Sequence, residues 1–186
     1  MGDIMLENRL KQYLSENEAI LRDLRLVRGM NLPQCFIGAG YIRSYIWDRL
    51  HGITHREIHN DIDVVYYDTA VRSEDREKEL ELELIRQTGN PKWSVKNQAR
   101  MHVRNDENPY GSTEDAISRW PETVTAIGAR INEEGNIEIC APYGLDDLFN
   151  MIVRRSPLFK NRHHYLERIA KKDWKKNWPL ITIVEE

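Results

Sequence analysis

The sequence predicts an α/β fold in which short strands alternate with helices. Residues 35–68 read as a strand, a glycine turn, a helix and a second strand. Residues 73–98 read as a helix followed by a strand, and residues 123–140 as a hairpin. Apolar residues at three- and four-residue spacing mark the helices, and short apolar runs mark the strands. We therefore expect a sheet flanked by helices.

Length and composition favour one ordinary soluble domain. The chain has 186 residues, a net charge of −3 and 31% charged residues, which does not suggest a general nucleic-acid binder. No apolar run approaches a membrane span, and the N-terminus lacks a signal-peptide pattern. Cys35 and Cys140 fit buried, reduced thiols. We expect a cytoplasmic protein without membrane contact.

The first residues read as helices that flank the domain. A capping-box pattern at Ser15 and Glu18 predicts a break near Ser15, and Gly29 is expected to end the second helix. The predicted regions are an N-terminal helical flank (1–34), a central domain (35–153) and a basic, aromatic C-terminal helical segment that packs on the same domain (154–186).

A turn near the start of the central domain suits phosphate. The apolar residues 35–37 form a strand, Gly38, Ala39 and Gly40 form the turn, and a helix with Ile42 on its apolar stripe follows. A turn that leads into a helix N-terminus presents backbone N–H groups and the positive end of the helix dipole. The turn is therefore a candidate phosphate site.

Two aspartates begin the next predicted strand. Residues at i and i+2 of a strand project to the same face, so Asp61 and Asp63 are expected on one face of the sheet. Two carboxylates on one face can share a hard divalent cation, and Mg²⁺ or Mn²⁺ are the candidates. A phosphate cradle next to metal-binding carboxylates is what phosphoryl transfer from a nucleoside triphosphate (NTP) requires.

These segments resemble the polymerase-beta-type nucleotidyltransferases, and most of all the head domain of bacterial CCA-adding enzymes and poly(A) polymerases. Residues 39–44 (AGYIRS) lie over the motif G-G-x-V-R-D, and residues 61–63 (DID) over D-h-D. Residues 119–126 (RWPETVTA) resemble R-R-D-F-T-I-N-A, and residues 135–148 resemble the following hairpin and D-P-x-G-G-x-x-D-L. The match spans about residues 35–150, and the whole chain resembles a family of small bacterial nucleotidyltransferase-like proteins.

The resemblance implies a mixed sheet flanked by helices and Mg²⁺-dependent transfer of a nucleotidyl group from an NTP. The acceptor, whether RNA, a small molecule or a protein, does not follow from the sequence, and neither does the oligomeric state. The implied site residues are Asp61 and Asp63 for metal binding and catalysis, Gly38, Ala39, Gly40 and Arg43 for the triphosphate, and Arg119 for ribose or phosphate.

Some positions depart from the family pattern. Ser44 and Pro121 stand where the two arginine motifs have Asp. The strand 93–98 lacks the third carboxylate of the superfamily, and Asn97 offers only a neutral amide oxygen, while Glu138 on a later strand is an alternative. These departures motivate a second hypothesis, a catalytically silent domain that binds a nucleotide or a partner.

The remaining elements follow from local signals. The sequence predicts a helix over 73–87 between Ser73 and Gly89, a surface loop over 104–111, a short helix from Ser112 to Arg119, a hairpin of 123–131 with 137–140, and a helix over 145–153.

Three histidines lie near the loop before the aspartates. His51, His55 and His59 allow a zinc site, but a loop that contacts substrate is the favoured interpretation because the loop ends at Asp61. Solvated loop histidines are the third interpretation.

The C-terminal segment is rich in basic and aromatic residues. Basic residues interleaved with Tyr165, Trp174 and Trp178 can follow a phosphate backbone and stack on bases, which gives a third hypothesis, an RNA-binding module. An amphipathic helix with Tyr165 and Ile169 inward and solvated lysines is favoured. Because the chain leaves no length for the neck, body and tail domains that position tRNA, we do not expect a CCA-adding enzyme.

Overall fold

Helices and short strands alternate along the chain. The computed structural model describes residues 2–54 and 61–185. The helices are α1 (Gly2–Ser15), α2 (Glu18–Gly29), α3 (Gly40–Leu50), α4 (Glu74–Thr88), α5 (Gln98–Asn105), α6 (Thr113–Ser118), α7 (Asp146–Phe149), α8 (Arg162–Lys172) and α9 (Trp174–Asn177). The strands are β1 (Phe36–Gly38), β2 (Ile62–Tyr66), β3 (Trp93–Asn97), β4 (Gly128–Ile131), β5 (Ile137–Cys140), β6 (Ile152–Val153) and β7 (Thr182–Ile183).

Five of the strands form a mixed sheet in the order β3-β2-β1-β4-β5. β2 and β3 are parallel, and the other neighbouring strands are antiparallel. Helix α4 provides the crossover that a parallel pair requires. β6 and β7 form a separate two-stranded parallel sheet. The predicted fold class, a mixed sheet flanked by helices, is confirmed.

The register of the sheet separates an apolar face from a face that carries carboxylate. Gly38 is paired with Asp63, and Ile37 with Val64. Because paired residues project to the same face, Asp63 shares a face with Gly38, and Ile37 and Val64 lie on the other. Ile37 and Val64 are buried in the main core with the helices. Asp63 is therefore directed away from the main core.

All three predicted regions contribute to one core. Leu14 of the N-terminal flank, Val64 of the central domain, and Tyr165 and Trp178 of the C-terminal segment belong to the same buried cluster. The boundaries at residues 34 and 153 stay a prediction. None of the helices within residues 2–54 and 61–185 has the length and apolar character to cross a membrane.

Several helix ends follow the predicted signals. The Ser73 hydroxyl accepts hydrogen bonds from the N–H groups of Asp75 and Arg76, and α4 ends at Gly89 with φ +69°. The Ser112 hydroxyl accepts from the N–H of Asp115 and begins α6. These caps and the strand β3 confirm the predicted order of elements in this part of the chain.

Other boundaries differ from the prediction. α2 is capped by Asn17, whose side chain accepts from the N–H of Ile20 at 3.0 Å, whereas the predicted cap Ser15 donates to the carbonyl of Lys11. Residues 98–105, which the sequence analysis assigned partly to a loop, are helical because the Asn97 side chain caps α5.

The predicted hairpin and the helix after it are both shorter than expected. β4 begins only at Gly128, because the carbonyl of Glu122 accepts from the N–H groups of Thr125 and Ala126 in a preceding turn. The predicted helix over 145–153 ends as α7 at Phe149, and β6 follows.

Candidate functional site

Asp61 and Asp63 lie at the start of β2, beside the glycine turn. Asp63 is the register partner of Gly38. Asp61 is exposed, whereas Asp63 is half-buried. Burial raises the pKa of Asp63 to about 6, and the neighbouring carboxylate of Asp61 adds to the increase. The predicted pairing of the two acids next to the turn is thus present.

This pair of carboxylates suits a hard divalent cation such as Mg²⁺ or Mn²⁺. A cation between them would offset their repulsion and the cost of burying Asp63. Within the described part of the chain, no group of three or more His, Cys, Asp or Glu side chains could hold a metal. Mg²⁺ commonly takes one or two carboxylates and completes its shell with water and substrate phosphates. The pair therefore fits a cation that is shared with a bound phosphate.

The glycine turn is tightly packed and strained. A Cβ atom at Gly38 would lie 2.8 Å from the carbonyl oxygen of Ile127 and 3.0 Å from the ring of Trp120, so only glycine fits there. Ala39 has φ +56° and ψ −133°, a conformation that L side chains rarely adopt. Its N–H donates to the Ile127 carbonyl at 3.0 Å. The Ala39 amide is therefore already engaged and is not available to a phosphate.

Arg43 lies beneath the turn. Its side chain is only 3% exposed, and its guanidinium carbon is 4.4 Å from the ring centre of Trp174 and 5.2 Å from that of Trp47. Nη2 donates to the Ser44 hydroxyl, while Nε has no hydrogen-bond partner among the described residues. Burial lowers the pKa of Arg43 to about 10, and the charge of Glu122 opposes this. Its predicted role near the phosphates stays a prediction.

A buried glutamate, which the sequence analysis did not single out, lies close to Arg43. Glu122 is fully buried, and its Oε1 accepts from Arg168 Nε at 2.6 Å. Its Oε2 accepts from the Thr125 hydroxyl at 2.7 Å. Glu122 directly follows Pro121, which stands at the Asp position of the family motif. An acidic residue directly after the motif position was therefore the signal in the sequence that could have identified Glu122.

Lys172 adds a further cation to this group. Partial burial lowers the pKa of Lys172, and the nearby charges of Arg168 and Arg43 lower it further. Arg168 and Lys172 also act on Asp63 and lower its pKa against the larger effect of burial. We call Glu122, Arg43, Arg168 and Lys172 the Glu122 cluster. Its three cations lie around one carboxylate, next to the two aspartates.

Arg119 lies on another side of the turn. Its guanidinium pairs with Asp115 at 3.1 Å and lies over the ring of Tyr110. Together with Trp120 it lines a cavity of about 830 Å³, whose opposite wall includes the start of α8 at His164. The structure thus brings the turn and the aspartates together, while the side chain of Arg119 is engaged with Asp115.

Neither candidate for the third acid lies at the aspartates. Ser94 is the β3 residue opposite Asp63. Asn97 is fully buried and uses its side chain to bond Asp68, Val71 and Ala99. Glu138 lies on β5, three strands from β2, and pairs with Arg130 at 2.7 Å. The departure from the family pattern therefore persists in the described residues.

The histidine hypothesis concerns a loop that is mostly undescribed. His55 and His59 lie outside the described residues. His51 Nε2 accepts from the N–H of Leu180 at 3.1 Å, and Nδ1 lies 2.8 Å from the carbonyl of Trp47. Both ring nitrogens of His51 are thus used, so this side chain is not available to a metal.

The aromatic residues of the C-terminal segment are not available to bases. Tyr165, Trp174 and Trp178 are each less than 5% exposed. Trp178 also donates from Nε1 to Asp48 at 2.7 Å. The prediction that Tyr165 and Ile169 point inward is confirmed. The idea that these aromatic rings stack on RNA is wrong, because they hold the segment against α3.

A nucleotidyltransferase family and a solved head domain match this chain. The family, described as Nucleotidyltransferase, matches residues 25–183. A structure described as "The NMR structure of the protein reveals a CCA-adding enzyme head domain" is 31% identical, with a TM-score of 0.85 and 95% of each chain covered. Comparison with curated proteins gave no match.

Complete CCA-adding enzymes share the fold at lower identity. The Thermotoga maritima CCA-adding enzyme complexed with tRNA is 17% identical with a TM-score of 0.58, and the match covers 94% of this chain and 42% of that one. A CCA-adding enzyme in complex with CTP is 17% identical with a TM-score of 0.55, and the match covers 94% and 41%. The chain therefore spans less than half the length of these enzymes.

Proposed function

Because the chain belongs to the nucleotidyltransferase family, we propose that it transfers a nucleotidyl group from an NTP to an acceptor, with Mg²⁺ or Mn²⁺ as cofactor. One observation carries the proposal: the carboxylates Asp61 and Asp63 lie beside the glycine turn, with Asp63 in register with Gly38. Carboxylates for a cation next to a phosphate-binding turn are what this reaction needs. The acceptor is RNA, a small molecule or a protein, and the site of action is the cytoplasm.

The proposed reaction is an in-line displacement at the α-phosphorus. The oxygen of an acceptor hydroxyl forms a bond to the α-phosphorus, the bond from the α-phosphorus to the bridging oxygen breaks, and pyrophosphate leaves. The hydroxyl proton passes to solvent. Asp61 and Asp63 hold the cation, which when bound neutralises and orients the phosphate oxygens. The chain itself contributes positioning and electrostatic stabilisation.

The turn is the proposed triphosphate site. The glycine turn leads directly into α3, so the positive end of the helix dipole lies at the turn. The backbone of Gly38, Ala39 and Gly40 therefore leads the triphosphate to the positive end of the α3 dipole. Arg43 adds positive charge from below, and Arg119 contacts ribose or phosphate from the cavity side.

Binding can be tested before the acceptor is known. The protein is titrated with each of the four NTPs, with and without Mg²⁺ or Mn²⁺, and amide chemical shifts are followed. We expect cation-dependent shifts at residues 38–43 and 61–63. Asp61→Asn and Asp63→Asn should abolish them, whereas Asp75→Asn on the exposed surface of α4 should not. Unchanged cation-dependent binding in both site variants would overturn the assignment.

Transfer is tested with two labels. Nucleotide labelled at the α-phosphate is incubated with RNA, with small hydroxyl compounds and with the protein alone, and the reaction is repeated with γ-labelled nucleotide. Incorporation of the α-label together with release of the γ-label as pyrophosphate identifies nucleotidyl transfer. Incorporation of the γ-label would instead indicate a kinase and contradict the proposal.

A catalytically silent domain is the second candidate. It is favoured by the position of Ser94 opposite Asp63 and by the engagement of Asn97 and Glu138 in other contacts. This candidate predicts that the protein binds an NTP or a partner without incorporating label into any acceptor. An RNA-binding module remains the third candidate, and RNA affinity that is absent or insensitive to salt would count against it.

A further inference from the structure

Helix α8 presents one polar face toward the aspartates. His164, Arg168 and Lys172 follow each other at four-residue spacing and so lie along one side of the helix. Tyr165 and Ile169 are buried on another side and fix the rotation of α8. At 1.5 Å per residue, this face extends about 12 Å, from the cavity beside Trp120 at His164 to the neighbourhood of Asp61 at Lys172.

Arg168 is held in place by a buried partner. Glu122 is fully buried, and only one of its oxygens is used by Arg168, through Nε. The other oxygen is occupied by the Thr125 hydroxyl. The Arg168 side chain remains 31% exposed. Glu122 therefore positions a guanidinium that still reaches the surface.

Lys96, a basic residue on the same face of the sheet as Asp63, is committed elsewhere. Lys96 on β3 acts on Asp63 electrostatically, but its ammonium lies 2.9 Å from Glu81 and 3.7 Å from Glu77. It is neutralised by these two acids. Lys172 has no such carboxylate at ion-pair distance among the residues that the structure describes, so its charge is available to a ligand.

The Glu122 cluster has more positive charge than its own carboxylate can balance. Arg168 contacts Glu122, Arg43 and Lys172 interact with it electrostatically, and the Nε of Arg43 is buried without a partner among residues 2–54 and 61–185. Like charges in proximity are unfavourable, and a bound polyanion would relieve them. A polyanion that also shares a cation with Asp61 and Asp63 fits this arrangement.

We propose that Arg168 and Lys172 bind the β- and γ-phosphates of the nucleotide, and later the pyrophosphate that leaves. This inference rests on the proposed function and extends the site to the C-terminal helix. In this arrangement Asp61 and Asp63 would hold the cation, and the backbone of the glycine turn would contact the triphosphate. Helix α8 would supply exposed positive charge, which the buried Arg43 does not provide. Glu122 is a positioning residue that acts through Arg168.

The test compares ligands that carry or lack the β- and γ-phosphates, with and without the nucleoside. Affinities for Mg²⁺-ATP, AMP and inorganic tripolyphosphate with Mg²⁺ are measured by calorimetry on the full chain. The variant Lys172→Ala is compared with Lys171→Ala, the exposed neighbour on the same helix. We expect Lys172→Ala to weaken ATP and tripolyphosphate binding by about tenfold, as for one charge-assisted contact, and AMP binding by less than about twofold.

A second variant tests the guanidinium. Arg168→Ala would leave the fully buried Glu122 without the cation that hydrogen-bonds it and so endanger folding. Arg168→Lys keeps the positive charge but loses the bidentate hydrogen bonding of the guanidinium. We therefore expect an intact amide spectrum and a several-fold loss of affinity for ATP and tripolyphosphate. The double variant Glu122→Gln with Arg168→Ala removes both charges and should lose about as much phosphate affinity as Lys172→Ala.

The outcomes separate the two proposals. If ATP binds in a cation- and Asp63-dependent manner but Lys172→Ala and Arg168→Lys bind like Lys171→Ala, the α8 subsite is wrong and the proposed function stands. If ATP binds through Lys172 in a cation-dependent manner but no α-label is transferred to any acceptor, the subsite stands and the proposed function is wrong. If the unmodified protein binds neither ligand, both are overturned.

Discussion

Two buried glutamates in this protein are each bound by an arginine, and their surroundings differ in charge. Glu77 on α4 is 1% exposed, and Arg100 contacts both of its oxygens, through Nε at 2.7 Å and Nη2 at 2.5 Å. Arg100 also pairs with Glu74, and Lys96 pairs with Glu81. This group of five side chains, the Glu77 cluster, therefore contains three carboxylates and two cations.

The Glu122 cluster has the opposite balance. Its single carboxylate is fully buried and contacts one nitrogen of Arg168, while Arg43 and Lys172 complete a set of three cations. Both clusters bury a glutamate, but the first satisfies its cations internally and the second does not. The first holds α4 against β3 and α5, whereas we propose that the second receives an anion.

Several features near the proposed site are likewise unfavourable in the free protein. Asp63 is next to Asp61, Ala39 has a positive φ, and Lys172 is near two other cations. A bound cation would relieve the repulsion between the two aspartates, a glycine would relieve the strain at Ala39, and a bound phosphate would relieve the repulsion among the cations. Functional sites commonly break the local rules that the rest of a fold obeys. Substitutions should therefore have opposite signs in the two regions.

The largest expected effect is in the Glu77 cluster. Arg100→Ala would remove both hydrogen bonds from a guanidinium to the buried Glu77 and leave only Lys96, at 3.7 Å, as a nearby cation, so we expect a loss of about 3 kcal/mol in the free energy of unfolding, measured by denaturant titration. The control Arg86→Ala breaks an exposed pair with Glu83 and should cost less than about 0.5 kcal/mol. A loss below about 1 kcal/mol for Arg100→Ala would contradict the structural role of this cluster.

The next effect is a gain of stability at Asp63. Its pKa is raised from 3.8 to about 6 on folding, so the native state binds protons more tightly than the unfolded state. The stability that this group contributes is present below pH 4 and is lost as the pH rises through about 6. Asp63→Asn should therefore raise the free energy of unfolding by about 1–2 kcal/mol at pH 8, measured without divalent cations.

The pH dependence provides the control for this prediction. Stability is measured at several pH values between 4 and 8 for the unmodified protein, for Asp63→Asn and for Asp75→Asn, whose side chain is 87% exposed. The gain in Asp63→Asn should grow as the pH rises from about 4 to about 6 and then level off, while Asp75→Asn should follow the unmodified protein. An Asp63→Asn variant that is less stable at pH 8 would show that the carboxylate stabilises the fold.

Local signals predicted the frame of the site. The glycine turn, the helix after it and the strand with two aspartates are contiguous, so residue types and spacing were enough to predict them. Ser73 and Gly89 likewise predicted both ends of α4. α5 was missed because Asn97, at the end of a strand pattern, was considered as a ligand and not as a helix cap.

Contacts distant in the sequence could not be predicted from it. Glu122 joins the site through Arg168, which lies 46 residues later. Arg43 is buried against Trp174 and Trp178, so a motif arginine that was expected near the phosphates lies in the interior. Both outcomes depend on how the C-terminal segment packs on α3, which no local periodicity encodes.

The strained turn gives a smaller effect. Ala39 has φ +56°, so Ala39→Gly should relieve strain, partly offset by the entropy of an added glycine, and stabilise the protein by about 0.5–1 kcal/mol. The control Ala70→Gly, at an exposed position whose φ is not positive, should cost a similar amount. Thermal unfolding of the unmodified protein and the two variants measures both changes. If Ala39→Gly were destabilised as much as Ala70→Gly, the turn would not be strained.

The smallest expected effect bears most directly on the difference between the two clusters. Lys172→Ala removes one cation from a group with too many, so the free energy of unfolding should stay constant or rise by up to about 0.5 kcal/mol, and added salt should reduce the rise. Lys171→Ala should show no change under either condition. A destabilised Lys172→Ala would indicate that Lys172 holds α8 in place as Arg100 holds α4. Stability that is unchanged or raised, together with weakened tripolyphosphate binding, would instead indicate that Lys172 serves ligand binding, since a residue that stabilises the fold cannot be removed without a loss of stability.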